Sequence, residues 1–205
     1  MAMALTRFWT TADVRELTRE ERPWPRYELI DHELLVTPAP RGPHQVAVTA
    51  IWRLLDDFSL SQGIGVAMIS PADLELQPGT ITQPDVFVVP RGISQATGRA
   101  EWSEITALLL AVEVLSESTV RTDRVMKRDF YLANRVEEYW VVDTDARVIE
   151  RWRPAQVTPE LVRDSFAWQP RDGEPLVIEV ASLFDRIEAK WAAVRAHDRG
   201  RGAAM

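Results

Sequence analysis

Apolar residues recur along this chain in two periods, and the places where the period changes divide it into elements. Val46, Ala50, Ile51, Leu54, Leu55 and Phe58 fall on one stripe at helical spacing. Pro43 suits the first turn of that helix, which is expected to end near Ser61 to Gly63. Upstream, Thr11 reads as the N-cap of a shorter helix from Ala12 to about Glu20, closed off by Pro23 and Pro25. "RYELIDHELLVTPAP" predicts a strand pair, with Leu29, Leu34 and Val36 apolar and a turn near Asp31 and His32.

Further on, "IGVAMIS", "ADLELQ" and "PDVFVVP" read as short strands, with "QPGTITQP" turning between the last two. Leu108 to Leu115 is a strand of nearly unbroken apolar character, and a helix of roughly Val120 to Asn134 follows it. "EEYWVVD" and "RVIERWRP" form an antiparallel pair around Thr144 to Ala146. The tail adds strands at "FAWQ" and "LVIEV", a closing helix after Ser182, and an end from about 197 to 205 expected to fray.

This order predicts an α/β (α+β mixed) fold, a central mixed sheet flanked by helices, because the hairpin-like pairs argue against a purely parallel sheet. A chain of 205 residues fits one domain over 1–205, with its core at about 26–185.

Composition narrows the chemistry. With no cysteine, disulfides, thiolate metal sites and cysteine nucleophiles are excluded, so any metal must be held by oxygen or imidazole. A net charge of −7 argues against an overall basic surface, while leaving room for a local basic patch. Eight tryptophans are accounted for first as core filling. The start, "MAMALTRFWTTADV", shows no targeting pattern and no segment approaches a membrane span, so the expectation is a cytoplasmic protein.

Glu113 interrupts the strand Leu108 to Leu115. Side chains alternate on a strand, so Ala111, Glu113 and Leu115 share a face. An ionised carboxylate on a central strand needs a cation, a hydrogen-bonding set or a metal. The plain structural alternative is a strand-end glutamate paired with an arginine or capping the next turn. Asp85, directly after Pro84, opens another apolar strand. In the helix after Glu113, Asp123, Lys127 and Tyr131 are spaced four apart and lie along one face, with Arg121, Arg124 and Arg128 on the adjoining arc. On its own that helix reads as a solvated face with an Asp123 to Lys127 pair. The short "SEST" connection, however, folds it back beside Glu113.

Two carboxylates and a lysine suit phosphodiester cleavage. Asp85 and Glu113 would hold Mg²⁺ or Mn²⁺, hard ions that prefer oxygen and retain waters. Lys127 would orient the attacking water or meet the developing charge, and Arg121, Arg124 and Arg128 could hold flanking phosphates.

Taken together, "ELIDHELLVTPAP" with the histidine after it, "QPDVFVVP", "LLLAVEVLSEST" with Asp123, Lys127 and Tyr131, and "VEEYWVVD" resemble the Uma-type restriction endonucleases, a branch of the PD-(D/E)XK nuclease superfamily. The resemblance runs from about Arg26 to about Arg153, more weakly to "LVIEVASLF". It implies a restriction-endonuclease-like core with the catalytic acids on adjacent strands. Asp85 and Glu113 match the motif acids; Leu115 stands where the wider superfamily has its lysine, and Lys127 matches branches in which the lysine has moved to the next helix. Glu33, as an auxiliary acid, and His44, Asp123 and Tyr131 match further family positions, with a structural hydrogen bond an equal reading for His44. Departures fall at His32, Glu117 and Arg135, and Glu117 adds negative charge near the site. The expected activity is therefore a metal-dependent endonuclease acting on DNA, with a homodimer anticipated for double-strand cutting. Two readings compete with it: a catalytically silent nucleic-acid-binding or assembly protein on the same fold, and a buried structural ion cluster.

Overall fold

Thr10, one residue before the expected cap, starts the first helix. Its hydroxyl accepts from the Asp13 N–H while the Asp13 carboxylate accepts from the Thr10 N–H, a reciprocal capping box that leads α1, Thr11–Leu17. The structure, a computed structural model, describes residues 8–19, 24–92, 102–170 and 173–202. The expected helix end at Glu20 and the proline at 23 lie outside the described residues, as do 203–205 of the tail.

The strands β1, Arg26–Ile30, and β2, Glu33–Thr37, form the expected hairpin. Asp31 and His32 close it with φ of 49° and 65°, as a two-residue turn between twisted strands requires. Helix α2, Gly42–Gln62, has Pro43 in its first turn and ends at Gly63, whose φ of 62° suits a left-handed cap.

Six strands build the central sheet: β3, Gly65–Ile69; β4, Val86–Pro90; β5, Leu110–Val114; β6, Tyr139–Asp143; β7, Val148–Trp152; and β8, Glu160–Val162. They lie in chain order, and only β5 and β6 are parallel. A parallel pair needs a crossover. Here it is α3, a π-helical stretch Thr122–Lys127 that runs into the α-helical Arg128–Ala133. A separate pair, β9, Ser165–Trp168, with β10, Leu176–Glu179, leads into the last helix, α4, Val180–Gly202. That helix starts two residues before Ser182 and carries the backbone past His197, where fraying was expected.

The expected strand "ADLELQ" is not a strand. Ala72, Leu74 and Leu76 are buried in alternation as the pattern suggests, but the segment makes a single bridge, Leu74 to Thr82. Both edges of β4, the strand that follows it in the chain, are already taken by β3 and β5. The three-residue β8 escaped the sequence reading because it is too short to show a period.

The sheet separates two apolar layers. Val86 and Val88 of β4, Leu110, Val112 and Val114 of β5, and Trp140 and Val142 of β6 pack against α2 and α4. The alternate residues Phe87, Ala111, Tyr139 and Val141 pack with Ile30 of the hairpin and with Phe130 and Tyr131 of α3. Asp85 and Glu113 belong by alternation to this second face. The site therefore lies between the sheet, the β1–β2 hairpin and α3.

Gly65 is where β3 and β4 come closest, since a Cβ built there would run into the Val89 carbonyl. Gly65→Ala is expected to destabilise the protein by roughly 1–3 kcal/mol through forced separation of the two strands. Denaturant unfolding of the variant checks this; an unchanged midpoint would mean that the β3–β4 spacing is not under this constraint.

Candidate active site

The pairing of β4 with β5 sets two acids face to face. Val86 is opposite Val112 and Phe87 opposite Ala111, so the same register continued by one step brings Asp85 opposite Glu113. Asp85 is pinned from three sides. Its Oδ2 accepts from the Val114 N–H at 3.0 Å and lies 3.1 Å from Nε2 of His44, and its Oδ1 lies 3.5 Å from the Arg26 guanidinium. His44 comes from the first turn of α2 and Arg26 from the start of β1.

Glu113 meets α3. Its Oε1 accepts both from Lys127 Nζ at 3.0 Å and from the Tyr131 hydroxyl at 3.1 Å. Lys127 Nζ also lies 2.8 Å from Glu28 Oε2 and 3.7 Å from Asp123 Oδ1. A single ammonium thus stands among three carboxylates, and all four side chains are buried. The π turn holds Asp123 near its start and Lys127 at its end, both directed inward, and the Tyr139 hydroxyl supports it by donating to the Asp123 carbonyl at 3.0 Å. Such wide turns recur at functional sites.

Glu28 was not foreseen. It sits in mid-β1, two residues from Arg26 and therefore on the same face, and its second oxygen accepts from the Gln83 N–H at 2.8 Å. The polar alternation of Arg26 and Glu28 in "RYELI" was the available signal. Glu33, the acid expected to assist, is a correction. It opens β2 next to the turn, opposite Ile30, where it is exposed to solvent and outside the cavity lining. The pairing register puts Glu33 on the same face as Glu28, but Glu33 lies at the turn end of the hairpin, beyond the sheet and open to solvent.

The arginines of α3 are a second correction. Arg124 is spent on β6 and β7, with Asp143 at 2.9 Å and Glu150 at 2.6 Å. Arg128 lies 4.8 Å over the Trp152 ring and pairs with Asp129. Arg121 is exposed and outside the cavity lining. The inward face of α3 carries Asp123, Lys127 and Tyr131, as the four-residue spacing predicted, so the adjoining arc turns toward β7 and solvent instead. His44, Asp123 and Tyr131 do join the site.

These groups open onto a cavity of about 370 Å³, with Asp85, Glu113 and Lys127 in its lining. Its charge is unbalanced: Glu28, Asp85, Glu113 and Asp123 face Lys127, Arg26 and His44. Burial, with Asp85, Asp123 and Glu28 nearby, pushes the Glu113 carboxyl well up despite Lys127. Burial likewise raises Asp123 to about 6 against the pull of Lys127. Burial would lower Lys127, but Glu113, Glu28 and Asp123 overcome it and hold the ammonium protonated. Burial also acts on Asp85 and His44, yet their mutual hydrogen bond and charge prevail: Asp85 goes down and His44 goes up.

A divalent cation fits this surplus. Asp85 and Glu113 supply hard oxygen donors, and among the described residues no hydrogen bond falls on Glu113 Oε2. The described residues hold no cluster of three or more His, Asp or Glu arranged for a metal, because Glu28 and Asp123 are drawn to Lys127. Two carboxylates completed by water is the coordination that Mg²⁺ accepts.

Comparison with known proteins bears on this arrangement. A family model, Uma2, described as "putative restriction endonuclease", matches residues 12–176. A solved structure of a "putative nuclease" belonging to DUF820 from Anabaena variabilis superposes with a TM-score of 0.70 at 22% identity, covering 87% of this chain and 99% of that one, which establishes the shared fold. No curated protein matches. No helix among the described residues is long and apolar enough to cross a membrane.

Two outcomes follow from the charge imbalance. Asp123 has a folded-state pKa above its unfolded value, so it binds more protons when folded, and its stabilisation is full below about pH 4 and lost as pH rises through about 6. Without metal, Asp123→Asn should match wild type near pH 4 and exceed it above pH 7 by on the order of 3 kcal/mol, read by denaturant unfolding across pH; a constant gap would contradict the assignment. Lys127→Met leaves three carboxylates around an apolar chain and should cost about 3–5 kcal/mol at pH 7, partly restored by millimolar Mn²⁺. Thermal unfolding with and without Mn²⁺ tests this, and a variant as stable as wild type would show that the cluster does not need its cation.

Proposed function

Because the chain belongs to the Uma2 family of "putative restriction endonucleases", we propose that it is a Mg²⁺- or Mn²⁺-dependent nuclease hydrolysing phosphodiester bonds of DNA. The observation that carries this reading is the placement of Asp85 and Glu113 on facing strands, beside a lysine, in one cavity with surplus negative charge.

Asp85 and Glu113 would hold the ion, which when bound supplies charge neutralisation at the phosphate and a more acidic water. The chain's own residues set the rest. His44 and the Val114 N–H fix the Asp85 carboxylate so that it keeps its charge and one orientation. Tyr131 and Lys127 both grip Oε1 of Glu113, which directs Oε2 away from α3. Lys127, held protonated, acts as a hydrogen-bond donor and not as a base: it faces the water or the phosphate oxygens as negative charge develops. Glu28 keeps that ammonium in place. In the reaction the water oxygen bonds to phosphorus while one P–O ester bond breaks, and the departing sugar oxygen takes up a proton.

One observation favours a second reading. Lys127 already has three carboxylate neighbours, as expected of a structural ion cluster in a protein that binds nucleic acid without cutting it. Calorimetric titration with Mn²⁺ separates the two, followed by incubation with single-stranded circles and supercoiled plasmid. Wild type is expected to bind Mn²⁺ and cleave, and Glu113→Gln to lose both. Failure of wild type to bind the metal, or equal cleavage by Glu113→Gln, would remove the nuclease reading.

A further inference from the structure

Of the arginines expected to hold a DNA backbone, Arg124 and Arg128 are engaged elsewhere and Arg121 lies outside the cavity, which leaves open what receives the phosphate. Arg26 answers geometrically. Its side chain is only 10% exposed, it lines the cavity beside Asp85, and its Nε is buried without a hydrogen-bond partner. An unpartnered buried guanidinium N–H is costly, so this side chain gains when it shifts to meet an acceptor. Its other donors make long contacts, Nη1 to Asp85 at 3.5 Å and Nη2 to the Ser70 carbonyl at 3.3 Å, and neither uses Nε. The guanidinium also lies 4.4 Å over the ring of Trp24, a half-buried residue of the same cavity wall. Beyond Trp24 that wall is apolar, formed by Pro38, Ala39 and Pro40. On the other side, Ser116, Ser118 and Thr119 present hydroxyls.

A flat aromatic next to an apolar wall and a cation is what an unpaired nucleotide requires: a surface for the base and a donor for its phosphate. At about 370 Å³ the cavity is at the small end for a ligand site and has room for roughly one nucleotide. The acids are buried at its floor. With the acids buried in a cavity of about one nucleotide's volume, a backbone held in a rigid duplex reaches them less readily than one whose nucleotide is free to enter. Arg124 and Arg128, tied to β6 and β7, are not free to extend a basic stripe along a duplex.

We propose that Trp24 and Arg26 form a nucleotide clamp that makes this site selective for unpaired DNA, such as a single strand, flap or open end. Trp24 stacks on the base and the Arg26 guanidinium, held by only long contacts to Asp85 and Ser70, turns to donate to a phosphate oxygen. This rests on the nuclease reading for its chemistry, but the selectivity is a property of binding.

The test is fluorescence anisotropy of a labelled single-stranded oligonucleotide and of the same sequence as a blunt duplex, each titrated with wild-type protein in Ca²⁺, a hard cation suited to the same oxygen donors. The single strand should bind at least about tenfold more tightly. Trp24→Ala should weaken single-strand binding roughly 5- to 100-fold, while Trp24→Phe, which keeps a stacking ring, should retain most of it. Arg26→Gln should reduce the slope of log affinity against log salt by about 0.7, the loss of one single-strand phosphate contact, and a purely structural arginine would leave that slope unchanged. Equal affinity for the two forms, preference for the duplex, binding of neither, or Trp24→Ala behaving as Trp24→Phe would each overturn the proposal. Duplex cleaved as fast as single strand with Mn²⁺ would overturn it and leave the nuclease reading intact; selective single-strand binding with no cleavage would do the reverse.

Discussion

Everything about this site depends on one buried ammonium. Lys127 Nζ is drawn on by Glu28 from the hairpin, Glu113 from the central strand and Asp123 from its own helix, so three elements that share no backbone ladder are tied at one point. Removing a cation from water costs several kcal/mol, and only close, well-placed carboxylates make its burial tolerable. The same requirement fixes the approach of α3 to the sheet and the tilt of the hairpin over it.

Such a cluster is a poor way to build stability. An apolar core of equal volume would hold these elements at lower cost, and the two layers around the sheet show that the chain has the residues for one. What the cluster supplies is an unequal charge. With more acid than base around one cavity, Glu113 and Asp123 resist ionisation while Asp85, held by His44, does not. A divalent cation is the natural complement to that imbalance, and the proposed activity follows from it. The π turn and the gathered tyrosines, Tyr131 on Glu113 and Tyr139 under Asp123, are the means by which the fold sustains the arrangement.

The fold was legible because its signals are local. Short, nearly unbroken apolar runs in "PDVFVV" and around Glu113 identified β4 and β5, and the stripe from Val46 to Phe58 identified α2. Errors arose where neighbours decide: "ADLELQ" has the pattern of a strand but pairs at one bridge alone, and β8 is a strand only because β7 offers it an edge. In the site, Glu113, Asp123, Lys127 and Tyr131 could be grouped from spacing and a short connection, while the placement of Asp85 on the adjacent strand was implied by the family resemblance. Glu33 and Glu28 could not be told apart, since both are acids of one hairpin.

By itself the sequence determined the elements, the faces on which Asp85 and Glu113 lie, and the inward row of α3, because periodicity is a property of the local backbone. Tertiary structure alone decided which residues complete the site. The choice of Glu28 over Glu33, of Arg26 over the arginines of α3, and the presence of Trp24 beside Arg26 all depend on how the hairpin is placed against the sheet. That placement is set by a charge balance spread over residues far apart in the chain, which no local pattern records.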